Sequence, residues 1–230
     1  MFYISTGCGE KVQPFCFLRR ETLPGIITRI KPCGSEGKKL SITIEGFPPI
    51  TLPCSYAEGL REGQILSDAQ IQELLEKAEL SRALEASLRL LKFRPRSELE
   101  IRTRLSRKFP QSLVEKTIAV LKEKGLIDDQ LFARYWVENR REFKPSGFKK
   151  LRYELRSKGI APEIIREALK DVDFEAEAYK AAIKKAPRWR TLDEFTFKKK
   201  MADFLARQGF SFEIIEKIVP AVWREIQQEE

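Results

Sequence analysis

The chain of 230 residues contains no histidine. That absence excludes Ser-His-Asp and Cys-His nucleophilic mechanisms and every histidine-ligated metal site. Its four cysteines, Cys8, Cys16, Cys33 and Cys54, all lie in the N-terminal third, and none forms a C-x-x-C pair. Reduced, partly buried thiols are expected there, with no zinc site and no disulfide framework. Long apolar runs are missing too: nothing approaches the roughly eighteen residues that cross a bilayer. The first residues, Met1-Phe2-Tyr3-Ile4-Ser5, lack the basic-then-apolar pattern of a secretory leader. The expected compartment is therefore the cytoplasm, with no membrane partner. Gly34-Ser35-Glu36-Gly37-Lys38-Lys39 fails the Walker pattern in both its glycine spacing and the residue after lysine, and reads better as a hairpin turn. Asp128-Asp129 reads as a helix N-cap and a dipole-matched first turn rather than an acid–base pair. No enzyme and no cofactor are expected.

What the chain does have is charge, unevenly placed. Residues 81–170 carry 23 Lys+Arg against 12 Asp+Glu, whereas residues 1–80 carry 9 against 10 and residues 171–230 carry 11 against 12. The whole excess of the +9 chain thus lies in one stretch. Clustering of that kind points to an anionic partner, either nucleic acid or an acidic groove on a protein.

The same stretch repeats. Ile101-Arg102-Thr103-Arg104-Leu105-Ser106-Arg107 lines up with Leu151-Arg152-Tyr153-Glu154-Leu155-Arg156-Ser157 and with Met201-Ala202-Asp203-Phe204-Leu205-Ala206-Arg207. A turn and an apolar run follow each: Leu113-Val114 with Ile118, Ile164-Ile165 with Leu169, Ile214-Ile215 with Val219. A period near fifty residues predicts stacked helical units and a long binding surface. The expected fold is mainly α: elongated, tandem three-helix, helix-turn-helix-like units behind a small antiparallel β region. Ile26–Ile30, the alternating Leu40, Ile42 and Ile44, and Ile50–Leu52 supply the strands. Ser67-Asp68-Ala69-Gln70 is a capping box that opens a helix to about Leu80. Helices are then expected at 82–92, 97–108 and 112–124; at 129–142, 146–158 and 162–170; and at 173–187, 192–208 and 212–227. The corresponding domains are 1–80, 81–126, 127–171 and 172–230.

Ser97 with Glu100, Ser112 with Glu115 and Thr191 with Glu194 read as further capping boxes, Pro162 as a first helical residue, and Gly125, Gly159 and Gly209 as helix C-caps. Repeat one passes from Lys108 to Phe109 without the glycine seen at Gly159 and Gly209, so its turn should be one residue tighter. Phe132, Tyr135, Trp136, Phe148, Phe204, Phe210 and Trp223 are expected to anchor the cores.

On the helix that starts after Gly147, Phe148, Leu151 and Leu155 share one face, and Lys149, Arg152 and Arg156 share another. Arg102 and Arg152 hold one repeat position, so successive units would present similar basic ridges. Arg104, Arg107, Lys108, Arg140, Arg141 and Lys144 would enlarge them. Candidate contacts are Arg94, Arg96, Arg102, Lys149, Lys150, Arg152 and Arg156. Reversing Arg102 and Arg152 together should weaken partner binding more than reversing Lys180 and Lys184.

The run Leu88 to Glu100, LRLLKFRPRSELE, resembles the first-repeat signature of the bacterial RecX family, as does Gly125 to Tyr135, GLIDDQLFARY. Gly147 with Leu151, Glu154-Leu155, Lys158-Gly159-Ile160 and Ala168-Leu169 resembles the second repeat; Phe204 to Phe210 resembles the third. Leu60 to Leu66, LREGQIL, is similar to the segment that precedes the repeats in longer members. The resemblance implies a modulator that binds the RecA–single-stranded DNA filament in its groove and, as family members usually do, inhibits ATPase, strand exchange and coprotease activity; a monomer is expected. It leaves open direct contact with single-stranded DNA. A second reading is a helix-turn-helix regulator of duplex DNA, built on 97–108 and 112–124.

Overall fold

The computed structural model describes residues 25–34 and 38–228. Cys8, Cys16, Pro14, Pro24 and most of the Gly34–Gly37 turn lie outside the described residues. The chain divides into two compact units, one ending at Glu79 and one running from Leu80.

In the first unit, strands β1 (Gly25–Cys33), β2 (Lys39–Ile44), β3 (Ile50–Pro53) and β4 (Ile65–Leu66) form an antiparallel sheet in the order β3-β2-β1-β4. The period-two alternation sets the register: Ile27 faces Ile44, and Leu40 faces Leu52. Ile27, Ile42, Ile44, Ile50, Leu52 and Leu66 are buried with Ile71, Leu74 and Ala78 of the helix that follows. Strand β4 is an addition to the expected meander; two residues are too few to show an alternation. The capping box forms as expected, with the Ser67 amide donating to Gln70 Oε1 (2.9 Å) and the Gln70 amide to Ser67 Oγ (3.4 Å). That helix, α1, runs unbroken from Asp68 to Leu91. The expected break near residue 81 is absent because no glycine or proline interrupts 68–91.

Eight further helices build the second unit: α2 (Glu98–Leu105), α3 (Gln111–Glu123), α4 (Asp129–Phe143), α5 (Phe148–Ser157), α6 (Pro162–Leu169), α7 (Phe174–Lys185), α8 (Glu194–Arg207) and α9 (Phe212–Gln228). Each repeat has a core of its own. Ile101, Leu105, Val114, Ile118 and Leu121 form the first with Leu84, Leu90 and Leu91 of α1. Phe132, Val137, Leu151, Leu155 and Ile165 form the second, and Phe197, Met201, Leu205, Phe210 and Val222 the third. Tyr135 and Phe148, expected in these cores, are exposed instead. Phe148 begins α5 and packs edge-on against Phe174, ring centroids 5.8 Å apart.

The helix ends correct several capping assignments. Pro110, not Ser112, precedes α3, and Asp193 rather than Thr191 caps α8 by accepting from the Thr196 amide. Ser97 accepts from the Glu100 amide as expected, but Glu100 turns away to other partners. Gly159 and Gly209 have φ of +79° and +88° and close their helices with the Ile160 and Phe210 amides reaching back to Leu155 and Leu205. In the first repeat the Phe109 amide reaches Leu105 directly, so this turn is one residue shorter.

The middle helices of the three repeats meet end to end. The Gly147 and Lys149 amides, at the start of α5, donate to the Gln208 and Gly209 carbonyls at the end of α8 (2.9 and 3.2 Å). At the other end of α5, Gly159 lies against Leu99 of α2: a Cβ added there would sit 2.7 Å from the Leu99 Cβ. The two glycine turns thus serve as seats for the next helix start. At the α8–α5 joint, amides that a helix start leaves without intrahelical acceptors are satisfied by the turn of the neighbouring repeat, whereas at the start of α2 side chains accept them.

Candidate partner-binding surface

The seven cations singled out by sequence divide into two groups. Arg94 forms a two-pronged pair with Glu100, both N–O distances 2.9 Å, and the hydrogen bonds and then the charge of that carboxylate raise the Arg94 pKa. Arg102 pairs with Glu98 (2.7 Å) and with Glu115, which lies on α3. Lys150 donates to Gln208 Oε1 (2.7 Å) across the joint between repeats two and three. These three are committed within the protein. The expected equivalence of Arg102 and Arg152 therefore does not hold, because only the first repeat supplies acids at Glu98 and Glu115.

Arg96, Lys149, Arg152 and Arg156 form the other group. Among the described residues none meets a carboxylate within salt-bridge distance; Arg96 Nε donates only to the Leu90 carbonyl at 3.4 Å. Arg104, Arg107 and Lys108 are exposed and likewise unmatched. Arg140 and Arg141 belong with the committed set: Arg140 donates to Glu154 (2.7 Å) over the Trp136 ring, and Arg141 meets Glu138 and the buried Glu177.

The joint between repeats one and two is an acid–base node. Glu100 on α2 accepts from Arg94 and from Lys158 Nζ at the end of α5 (2.8 Å). Burial works to raise its pKa, but the hydrogen bonds and charges of Arg94 and Lys158 outweigh that and bring it to about 2. Lys158 also sits 4.1 Å from the Trp136 ring centroid. Asp129 contributes from α4: its Oδ1 accepts from the Glu98 amide (2.9 Å), capping α2 from a distance, and burial pushes its carboxyl up. Neighbouring Asp128 caps its own helix as expected, accepting from the Gln130 and Leu131 amides. Sequence reading could not assign the pair different helices, because the second target lies thirty-one residues away.

Beside this node lies a depression of 310 Å³ whose lining includes Arg94, Arg96, Glu100, Arg104, Ser157 and Lys158. Burial first, then the positive charges of Arg94 and Arg104, push the Arg96 pKa below its ordinary value. The depression thus holds more cations than its single carboxylate can balance. From its edge the exposed face of α5 continues with Arg156, Tyr153, Arg152 and Lys149, which lie at i+7, i+4, i+3 and i counted from Lys149.

No group of three or more Cys, Asp or Glu side chains among the described residues is arranged to hold a metal ion. Among the described residues no helix is long and apolar enough to cross a membrane. Stacked three-helix repeats carrying a cationic face define a helical-repeat protein. The comparisons with known proteins give the family. Its first, second and third three-helix domains match at residues 83–121, 128–169 and 172–219, each described as a RecX domain. The regulatory protein RecX of Chlorobium phaeobacteroides (strain BS1) is 42% identical over 144 residues, covering 62% of this chain and 95% of that protein. That of Clostridioides difficile (strain 630) is 25% identical over 201 residues, 85% of this chain and 94% of the other. A crystal structure of regulatory protein RecX superimposes with a TM-score of 0.67 at 26% identity, covering 84% of this chain and 98% of that one. RecX from Lactobacillus salivarius gives 0.55 at 25% identity, over 63% of this chain and 96% of that one. The chain belongs to the RecX family, whose named members are regulatory proteins.

Proposed function

We propose that this protein regulates RecA by binding the RecA–single-stranded DNA filament in its groove, and that its effect is inhibitory on ATP hydrolysis, strand exchange and coprotease activity. The observation that carries the reading is the free cationic face of α5, Lys149, Arg152 and Arg156, joined at its end to the depression that contains Arg96 and Arg104. Charges already matched inside a protein have little left for a partner; these have no acid of their own. Repeats that are tied end to end can engage several protomers of a helical partner at once and oppose the changes that accompany ATP turnover. The protein acts in the cytoplasm as a monomer, without a cofactor and without catalysing a reaction, its domains being 1–80, 81–126, 127–171 and 172–230.

The test mixes substoichiometric protein with RecA filaments and follows ATP hydrolysis at two salt concentrations. Inhibition that weakens with salt, and that Arg152→Glu with Arg156→Glu abolishes, supports the reading. An unchanged hydrolysis rate together with no retention on immobilised filaments refutes it.

A further inference from the structure

The cationic face of α5 carries a feature that a purely electrostatic contact does not require. Tyr153, with 74% of its surface exposed, stands in the middle of it, flanked by Lys149, Arg152 and Arg156. A large aromatic ring held out in water between unmatched cations contributes nothing visible to the core: Leu151 and Leu155 are the residues of this helix that are buried. One helical turn further on, Ser157 lines the depression that contains Arg96 and Arg104. Side chains four apart on a helix are neighbours, with Cβ atoms about 6 Å apart. Tyr153 therefore stands one helical turn from a residue that lines the depression.

We propose that this joint between repeats one and two is a nucleotide-sized subsite for single-stranded nucleic acid, in which Arg96 and Arg104 hold a backbone phosphate and Tyr153 stacks on the neighbouring base. The chemistry fits on three counts. Arg94 and Lys158 are tied to Glu100, whereas Arg96 and Arg104 meet no carboxylate within salt-bridge distance among the described residues and remain to take an oxyanion. A guanidinium presents planar paired donors that match phosphate oxygens. A tyrosine ring offers a stacking face to any base, but only to a base not already stacked between its neighbours, which selects single strands over duplex. The subsite gives no preference among bases, since nothing on the ring's exposed side reads their edges. It lies on the surface assigned above to filament binding and rests on that reading only for its biological setting.

The experiment uses the full chain without RecA and follows fluorescence anisotropy of a labelled oligothymidylate. Tyr153→Ala should weaken binding about five- to 150-fold, the range for loss of one base–aromatic stack, while Tyr153→Phe keeps it. A strand of the same length without bases should bind the parent protein as weakly as the normal strand binds Tyr153→Ala. Arg96→Gln with Arg104→Gln should lower the slope of log affinity against log salt by about 0.7, the value for one phosphate contact in single strands. Lys199→Gln, at the position of Lys149 in the third repeat, should change neither quantity. Inorganic phosphate and adenosine monophosphate serve as competitors: displacement by the second at much lower concentration than the first supports a joint base and phosphate site. Equal affinity for strands with and without bases, or unchanged binding by Tyr153→Ala, overturns the proposal. If those variants spare oligonucleotide binding yet lose the effect on RecA, the subsite fails and the regulatory reading stands. If the oligonucleotide results hold while RecA hydrolysis is untouched, the reverse is true.

Discussion

Replacing Gly147 by alanine tests how the repeats are joined. Gly147 has φ −76°, a conformation alanine adopts without strain, and it precedes α5 as the N-cap. On local grounds the change is close to neutral: the smaller entropy of the unfolded chain favours alanine by about 0.4–1 kcal/mol, and the poorer N-cap that alanine makes offsets that by a similar amount. The fold decides otherwise. The added Cβ would collide with the Gly209 carbonyl group and the Phe210 nitrogen, all of them backbone. No side chain can swing aside, so the two helix ends must separate. That separation stretches the hydrogen bonds from Gly147 to Gln208 and from Lys149 to Gly209, and the Lys150–Gln208 side-chain bond. At about 1 kcal/mol each, and more where a buried amide is left unmatched, the loss comes to about 3 kcal/mol against a gain of under 1. Urea denaturation should show that loss. Hydrogen exchange should show the Gly147 and Lys149 amides losing protection while the first repeat keeps its own. A variant within about 0.5 kcal/mol of the parent, with both amides still protected, would refute the end-to-end joint.

Glu100→Gln should destabilise the first joint, because Arg94 and Lys158 lose their shared acid; after allowance for solvent screening the cost is about 1–2 kcal/mol at pH 7. The folded carboxyl lies below its unfolded value, so its contribution is full above pH 4.5 and disappears as pH falls toward about 2; acid titration of parent and variant should converge in that window. Asp129→Ala should cost about 0.5–2 kcal/mol by uncapping α2, visible as faster exchange of the Glu98 amide, although it lies on α4. Arg102→Glu should lower the melting temperature, since it places a third acid beside Glu98 and Glu115, whereas Arg152→Glu should leave stability within about 0.5 kcal/mol and weaken partner binding instead. Equal melting temperatures for the two variants would show that Arg102 is not structural.

Periodicity carried most of the fold. The alternation at Leu40, Ile42 and Ile44 appears as β2, and the recurring apolar positions around Ile101, Leu151 and Met201 lie at the centres of three separate cores. The missing glycine after Lys108 correctly marked the shorter turn. These features are local: burial pattern and turn stereochemistry act over a few residues, and sequence records them directly. The charge cluster in 81–170 was equally plain, as was the candidacy of its arginines. Which of those arginines are free was not. Arg102 and Arg152 occupy one repeat position with one residue type, yet acids on α2 and α3 bind the first while the second faces solvent. Tyr135 and Phe148 had core-like spacing and are exposed; Asp129 caps a helix that is not its own. Each of these depends on what folding brings beside the side chain: Glu115 reaches Arg102 from thirteen residues away, and Asp129 reaches the Glu98 amide from thirty-one. Sequence alone determined the repeats, their helices and the sign of their surface. Tertiary structure alone decided which charges hold the repeats together and which remain for a partner, because a salt bridge is a property of two surfaces.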